Sequence, residues 1–159
     1  MTDSDYTPEP ESGSIARYKC YVESQLSKAK SGDVYAIDEC LKIFGEKLDP
    51  LYDEKTARDV WSALKVFSKI DNSALYLLGV RNLFGHPFGR QESKGVAQIM
   101  MAAERGNKAA RYDIALWHIH GVCGVPKNKS TARNMLGQLA EEGVQDAKEM
   151  LDALNHGEK

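Results

Sequence analysis

The chain has 159 residues, of which 42% are apolar and 28% are charged. This balance is typical of one globular domain, and it excludes collagen-like, disordered and membrane classes for the body of the protein. The formal net charge is −2, and the first fourteen residues hold four acids and no base, so residues 15–159 carry about +2. A dedicated nucleic-acid binder shows a strong basic stripe, and a lipid-binding segment shows a basic run. We therefore expect neither nucleic acid nor membrane as a partner.

The three cysteines, Cys20, Cys40 and Cys123, lie far apart and form no CxxC pair. Their spacing predicts neither a zinc site nor a complete disulfide framework, and the odd number indicates a reducing compartment. The N-terminus lacks the basic and apolar regions of a secretory signal, and no run approaches the ~20 apolar residues of a membrane span. These features predict a cytoplasmic protein.

Residues 1–14 combine acids, prolines, serines and a glycine without apolar periodicity, which predicts a disordered acidic tail. From Ile15 an apolar helical stripe begins, Ser14 can cap it, and Ser31-Gly32-Asp33 ends it, which predicts a helix at 15–30. No stretch alternates apolar and polar residues long enough for a strand, so we predict an all-α fold. Later segments show the same helical spacing: Val60, Trp61, Leu64 and Phe67; then Val96, Ile99, Met100 and Ala103; then Ala132, Met135, Leu136, Leu139 and Ala140.

The main signal is an internal repeat. When the chain is aligned on Gly106 and Gly143, which suit the left-handed position after a helix, residues 72–107 lie over residues 108–144. The two glycines are 37 residues apart, and Ala36 and Ala147 extend the pattern weakly in both directions. The matched pairs are Ala74 and Ala110, Tyr76 and Tyr112, Leu78-Gly79 and Ile114-Ala115, and Gly85 and Gly121.

These residues resemble the Sel1-like repeat proteins, whose repeat reads approximately A-x-Y-x-LG-x-x-Y, then G-x-GV-x-x-D, then KA and AA-x-x-G. The second repeat follows this pattern through Ala110, Tyr112, Ile114, Ala115, Gly121, Gly124-Val125-Pro126, Asn128, Ala132, Ala140 and Gly143. The first keeps Ala74, Tyr76, Leu78, Gly79, Gly85, Lys94, Ala102, Ala103 and Gly106. It departs from the pattern at Pro87-Phe88 and at Asn82, where the family prefers tyrosine.

The resemblance implies an α-solenoid of antiparallel helix pairs, related to tetratricopeptide repeats and wound into a right-handed superhelix. Its repeat domain would span 15–159. The expected parts are a capping helix at 15–30, a divergent repeat at 33–71, repeats at 72–107 and 108–144, and a capping helix at 145–155. Small residues at Gly79 and Ala115, with Ala102-Ala103 opposite, would allow the paired helices to approach closely.

Histidine and cysteine are the usual ligands of zinc in proteins, and the sequence places three of them close together, at His118, His120 and Cys123. Residues two apart on a helix point about 200° away from each other, so the two histidines cannot chelate together on one helix, and we expect structural or surface roles. Cys123 has no evident neighbour to activate it, and the GVCGV segment lacks the Lys-Ser/Thr of a phosphate loop. GxSxG, HExxH and GxGxxG are absent, so we expect no catalytic, metal-binding or cofactor-binding residues, no cofactor and no enzyme activity.

The remaining candidate is a surface for another protein. On the helix that starts the first repeat, the core positions are Ala74, Leu78, Gly79 and Asn82. The helical rotation of 100° per residue places Tyr76, Val80 and Phe84 on the opposite side. By resemblance to tetratricopeptide-like stacks, that opposite side lines a concave groove that binds a partner. The alternative is that its residues pack against a neighbouring helix. The predicted partner-binding residues are Tyr76, Val80, Phe84, Tyr112, Leu116 and His120.

Similar Sel1-like proteins serve as adaptors, as regulators and, in bacteria, as inhibitors of a cognate toxin. We therefore expect a protein-binding module that acts as a cytoplasmic regulator or immunity-type inhibitor, with a toxin or effector as its partner. The alternative is a binder or hydrolase of small molecules or cell-wall fragments, as proposed for exported, cysteine-rich members. Regular cysteine pairs and a signal peptide, which mark those members, are absent from this sequence.

Overall fold

The computed structural model describes residues 12–45, 54–85 and 88–157. Across these ranges the chain forms eight helices and no strand, which confirms the predicted all-α class. The chain divides into two compact units, Met1–Leu64 and Lys65–Lys159. The helices are α1 (Ser12–Lys30), α2 (Val34–Gly45), α3 (Glu54–Phe67), α4 (Asn72–Phe84), α5 (Glu92–Glu104), α6 (Lys108–His120), α7 (Lys129–Glu141) and α8 (Gln145–His156).

The first and last helices begin and end close to the boundaries predicted from the sequence. Helix α1 begins at Ser12, earlier than the predicted Ile15, and residues 1–11, most of the predicted acidic tail, lie outside the described residues. Helix α8 covers the predicted capping helix at 145–155. Within the described ranges, none of the helices has the length and apolar character needed to cross a bilayer.

In the first unit, α1 packs against α2. The turn between them contains Gly32 at φ 97°, a backbone conformation that favours glycine. The Asp33 side chain then accepts a 3.0 Å hydrogen bond from the backbone N–H of Ala36, which satisfies one of the free donors at the start of α2. The buried apolar side chains of these two helices include Val22, Ala29, Ala36, Ile37 and Cys40.

In the second unit the same cap returns at the start of each repeat. Asp71 accepts a hydrogen bond of 2.8 Å from the N–H of Ala74, and Asn107 accepts one of 2.9 Å from the N–H of Ala110. Both alanines are completely buried. An Asp or Asn three residues before a buried alanine therefore fixes where the first helix of each repeat begins, and Asp33 makes the same contact at the start of α2, while the divergent repeat at 33–71 stays a prediction.

The paired helices run antiparallel. At one end of the first pair, the side-chain amide of Asn72, at the start of α4, donates to the carbonyl oxygen of Arg105, just after α5. At the other end, the backbone N–H of Gln91 donates to the carbonyl oxygen of Asn82 at 2.8 Å. The second pair repeats the latter contact with the same length, from the N–H of Asn128 to the carbonyl of His118. Gly106 and Gly143, both at φ 90°, confirm the predicted left-handed ends.

Helices α4 and α5 approach so closely that two glycines face each other. A Cβ atom placed on Gly95 would lie 2.5 Å from the backbone nitrogen of Leu83 and 2.7 Å from the carbonyl oxygen of Gly79. A Cβ on Gly79 would lie 2.8 Å from Cγ1 of Ile99. Gly79 is thus the close-approach residue that the sequence predicts. Its facing residue, however, is Gly95 and not Ala102-Ala103, since Ala102 contributes to the core instead.

The core of the second unit consists of two clusters, and each is shared between one helix pair and the helix that follows. Such sharing is the defining property of a solenoid, because a single pair cannot bury its apolar face alone. The right-handed superhelix stays a prediction. The first cluster contains Leu75, Leu83, Ile99, Ala102, Ala110 and Trp117, and the second contains Ala115, Ile119, Ala132, Leu136, Leu139 and Ala147.

We predict that Gly95→Ala lowers the free energy of unfolding by ~1–3 kcal/mol, even though alanine is the better helix former, because its methyl group has no space. Gly137→Ala is the matched control, since Gly137 lies within α7 and a Cβ there meets no atom within 4 Å. The control should gain roughly 0.5–1 kcal/mol. Urea unfolding of both variants tests this, and equal effects of the two substitutions would contradict the close approach.

Candidate protein-binding groove

A pocket of about 320 Å³ lies where α4, α6 and the start of α8 meet. These are the first helices of the two repeats and the C-terminal helix that follows them. Two tyrosines at the same position in successive repeats, Tyr76 and Tyr112, line it together, and we call it the tyrosine pocket. Its other lining residues are Lys108, Ala109, Asp113, Val144 and Asp146.

Tyr76 joins one repeat to the next. Its ring is partly buried against the first core cluster, and its hydroxyl donates a 2.7 Å hydrogen bond to Oδ2 of Asp113 on α6. Burial raises the pKa of the Tyr76 phenol, and the hydrogen bond to Asp113 and the charge of that carboxylate raise it further. The phenol therefore stays protonated at neutral pH and serves as a fixed donor.

Asp113 is a half-buried carboxyl group inside the pocket. Burial raises its pKa above the ordinary aspartate value, and the hydrogen bond from Tyr76 acts in the opposite direction without cancelling that effect. The ionised form of Asp113 is therefore less well stabilised in this pocket than it would be in water.

Tyr112 occupies the equivalent position one repeat later and is surrounded by acids. Its ring packs against the second core cluster. Burial is the largest cause that raises the pKa of its phenol, followed by the negative charges of Asp146, Asp113 and Glu149. Glu149 follows Tyr112 by the same 37 residues that separate Tyr76 from Asp113, so each tyrosine has an acidic residue at the same offset two helices further along the chain.

A charged pair flanks the pocket at the start of α6. Arg111 donates two hydrogen bonds of 2.8 Å to the two carboxylate oxygens of Glu142, the fork geometry that guanidinium groups favour. The pair raises the pKa of Arg111 and lowers that of Glu142, and Lys108 also lowers the pKa of Glu142. The positive charges on this side of the pocket therefore have a carboxylate neighbour already.

The six predicted partner-binding residues fall into three classes. Tyr76 and Tyr112 come together in the pocket, whereas Val80 and Leu116 lie partly buried against the two core clusters. Phe84 is 72% exposed, and His120 is exposed. Their role in binding stays a prediction. Sequence reasoning missed Lys108, Asp113 and Asp146, although a shift of one repeat from Tyr76 leads close to Asp113.

The histidines and the cysteine of the HxHxxC segment have separate surroundings. His118 Nδ1 lies 3.0 Å from the carbonyl oxygen of Pro126, and because a carbonyl only accepts, Nδ1 donates. His118 therefore fastens the loop to α6, while His120 is exposed. Within the part of the chain that the structure describes, no three His, Cys, Asp or Glu side chains are grouped so that they could hold a metal ion.

Cys123 lies in the loop after α6 and packs partly against the first core cluster. It borders a second pocket of about 330 Å³ with Glu92, Ser93, Val96 and Gly124. Burial raises the pKa of its thiol, and the charge of Glu92 adds to that effect. A thiol with a raised pKa is mostly protonated at neutral pH and is a poor nucleophile. Cys40 is similar, since burial raises its pKa to about 11.

We predict that Tyr76→Phe costs ~1.5–3 kcal/mol of stability at neutral pH, because it removes a donor from a half-buried carboxylate. Without the hydroxyl the pKa of Asp113 in the folded variant should rise further. The stability of the variant should therefore fall more steeply than that of the unchanged protein as the pH rises from about 4 to neutrality. The cost of Tyr76→Phe should accordingly be smaller near pH 4. Urea unfolding at both pH values measures this.

A double-mutant cycle of Tyr76→Phe with Asp113→Ala should give a coupling of about 1 kcal/mol or more. The matched control is Tyr21→Phe with Glu39→Ala, where an exposed tyrosine donates a solvent-exposed hydrogen bond of 3.1 Å to a partly buried carboxylate and the coupling should be a few tenths of a kcal/mol. If the half-buried pair of Tyr76 and Asp113 coupled no more strongly than the pair of Tyr21 and Glu39, the Tyr76 contact would not contribute to the joint between repeats.

Comparison with known proteins shows the fold. No protein-family model matches the chain, and no curated protein matches it significantly. Among solved structures, the Sel1 repeat protein from Oxalobacter formigenes matches with a TM-score of 0.56 and 23% identity, over 83% of this chain and 97% of that one.

A second solved structure is a protective antigen of uropathogenic Escherichia coli strains that displays an SLR fold. It matches with a TM-score of 0.55 and 21% identity over 79% of this chain, which spans about a quarter, 26%, of that protein's length. Both neighbours are Sel1-repeat structures, and both align with most of this chain. The chain therefore has the Sel1-like repeat fold that its sequence predicts, an α-solenoid of paired helices.

Proposed function

We propose that this protein is a non-enzymatic binding module whose groove, centred on the tyrosine pocket, holds part of a partner protein. The single observation that carries the proposal is the convergence of Tyr76 and Tyr112, from successive repeats, on one pocket of about 320 Å³. Equivalent side chains brought together by a repeat form a surface larger than either helix pair offers alone.

The two tyrosines have the properties of interface anchors. Each ring is partly buried against the core, so little conformational entropy remains to be lost when a partner binds. Tyrosine is also enriched among the residues that dominate binding energy, since it combines a large apolar ring with a polar end. The hydrogen bond to Asp113 holds Tyr76 in place before any partner arrives.

Exposed side chains extend this surface along the ends of the same helices. Phe84 is 72% exposed at the last position of α4, and His120 is exposed at the last position of α6. Both belong to the groove predicted from the sequence. A large exposed aromatic ring on the same helix as Tyr76 supports a contact surface that extends beyond the pocket itself.

Within this class we favour a cytoplasmic regulator or an immunity-type inhibitor that neutralises a toxin or effector over an adaptor. A regulator or an inhibitor needs one docking site, whereas a scaffold must bridge at least two ligands. One tyrosine-lined pocket supports the former.

The second candidate, a binder or hydrolase of small molecules or cell-wall fragments, has less support. A hydrolase needs a group that takes up a proton near neutral pH. The pKa of both pocket tyrosines is raised, so neither phenol is poised to act as a base. The pKa of Asp113 is raised too, but its Oδ2 already accepts the hydrogen bond from Tyr76, and the other acid of the pocket lining, Asp146, is exposed. We therefore propose no enzyme activity for this site.

The test begins with affinity capture on the immobilised chain and identification of the retained protein, followed by binding measurements on purified components. Tyr112→Ala should weaken binding by ~2 kcal/mol, about thirtyfold, and Phe84→Ala should weaken it by a smaller factor. The matched control is Tyr35→Ala, since Tyr35 is a tyrosine on α2 that is 90% exposed. The control should bind like the unchanged protein.

Thermal unfolding of each variant separates binding from stability. Phe84→Ala removes little packing and should melt like the unchanged protein, so a loss of affinity in that variant reports on the surface itself. If Tyr112→Ala and Phe84→Ala remained folded and bound at full strength, the proposed groove would be wrong.

A further inference from the structure

Resting on the proposed function, we infer that the segment of the partner that enters the tyrosine pocket presents a basic side chain, arginine or lysine. The tyrosine pocket combines an excess of carboxylates with two aromatic rings, and this is the chemistry that recognises a cation.

The charges around the tyrosine pocket favour a cation. Asp113 and Asp146 line the pocket, and Glu149 lies close enough to raise the pKa of Tyr112. Lys108 also lines the pocket, but it lies near Glu142, whose pKa it lowers. Arg111 is bound to the same Glu142, so the four carboxylates of Asp113, Asp146, Glu149 and Glu142 stand against the two cations Lys108 and Arg111, and negative charge is in excess around the pocket.

Asp113 is half-buried, and its Oδ2 accepts a hydrogen bond from the neutral hydroxyl of Tyr76 and not from a cation. Burial without a full countercharge disfavours the ionised form, which accounts for its raised pKa. A guanidinium or ammonium group that entered the pocket would supply this countercharge away from bulk water, where the attraction is strongest.

The aromatic lining of the pocket also favours a cation. The face of a tyrosine ring carries negative charge density and attracts a cation placed near its centre. Two rings in one pocket give the apolar stem of a lysine or arginine a surface to lie against, while the charged end reaches the carboxylates. An acidic side chain would fit the same space but would meet like charges, so the pocket discriminates against it.

The experiment uses the full chain labelled with ¹⁵N and three small probes: N-acetyl-arginine methylamide, the neutral citrulline analogue of nearly the same shape, and N-acetyl-glutamate methylamide. The arginine probe should shift backbone amide signals at 108–113 and 144–149 when it is added at tens of millimolar. The citrulline probe should bind roughly fivefold or more weakly, because it keeps the shape and loses the charge. The glutamate probe should leave these signals unchanged.

Asp146→Asn should lower the affinity for the arginine probe by roughly threefold to tenfold, because it removes a negative charge from the pocket. Asp146 lies on the exposed first turn of α8, so the substitution should have little effect on folding. The matched control is Asp152→Asn, an exposed acid later in the same helix and outside the pocket lining, which should bind the probe like the unchanged protein. Equal binding of arginine and citrulline probes, shifts confined to other parts of the chain, or no shift with any probe would each overturn the inference.

Failure of this inference can be told apart from failure of the proposed function. If Tyr112→Ala releases the partner protein while Asp146→Lys retains it at full affinity, the groove binds a partner but its pocket does not require a cation. If the arginine probe binds the pocket and Tyr112→Ala still retains the partner, the cation site stands and the proposed groove function is wrong.

Discussion

The close approach of α4 and α5 at Gly79 and Gly95 is the constraint on which the rest of the second unit depends. A Cβ on either glycine would lie 3.0 Å or less from backbone or side-chain atoms of the opposite helix. The next pair has Ala115 and Ala132 at the equivalent positions, both fully buried. Small residues at both crossings therefore give the two pairs related packing, and related packing is what allows successive repeats to stack.

The stacking in turn creates the candidate site. Capped helix starts at Asp71 and Asn107 place Tyr76 and Tyr112 at the same depth in α4 and α6, so the side chains of one repeat meet those of the next in register. Tyr76 reaches Asp113 across this joint, and Tyr112 faces the acids of α8. The same contacts that hold the repeats together thus carry the charge and the aromatic lining of the pocket.

Most of the fold could be predicted from the sequence, because its determinants recur. Buried alanines such as Ala74 and Ala110, and glycines at helix ends such as Gly106 and Gly143, return once per repeat and reveal the period directly. Gly95 escaped prediction because nothing in the alignment of the repeats marks it as a contact residue, and only the distance between the helices shows that a methyl group does not fit there.

The site was less predictable, for a physical reason. The two tyrosines were found because they occupy one repeated position, but the sequence alone does not say which acid a hydroxyl meets across a joint. Tyr76 and Asp113 are 37 residues apart, and their contact depends on how far successive pairs are offset. Likewise, the bond from His118 to the carbonyl of Pro126 depends on the path of a loop, which periodicity does not specify.

The central claim is that a partner binds across the first helices of the repeats. Backbone hydrogen exchange of the free chain and of its complex tests it without any substitution. The account predicts added protection within 74–84, 108–116 and 144–150, on α4, α6 and the start of α8, with little change on α5 and α7. Protection concentrated on α5 and α7, with none at 108–116, would contradict it.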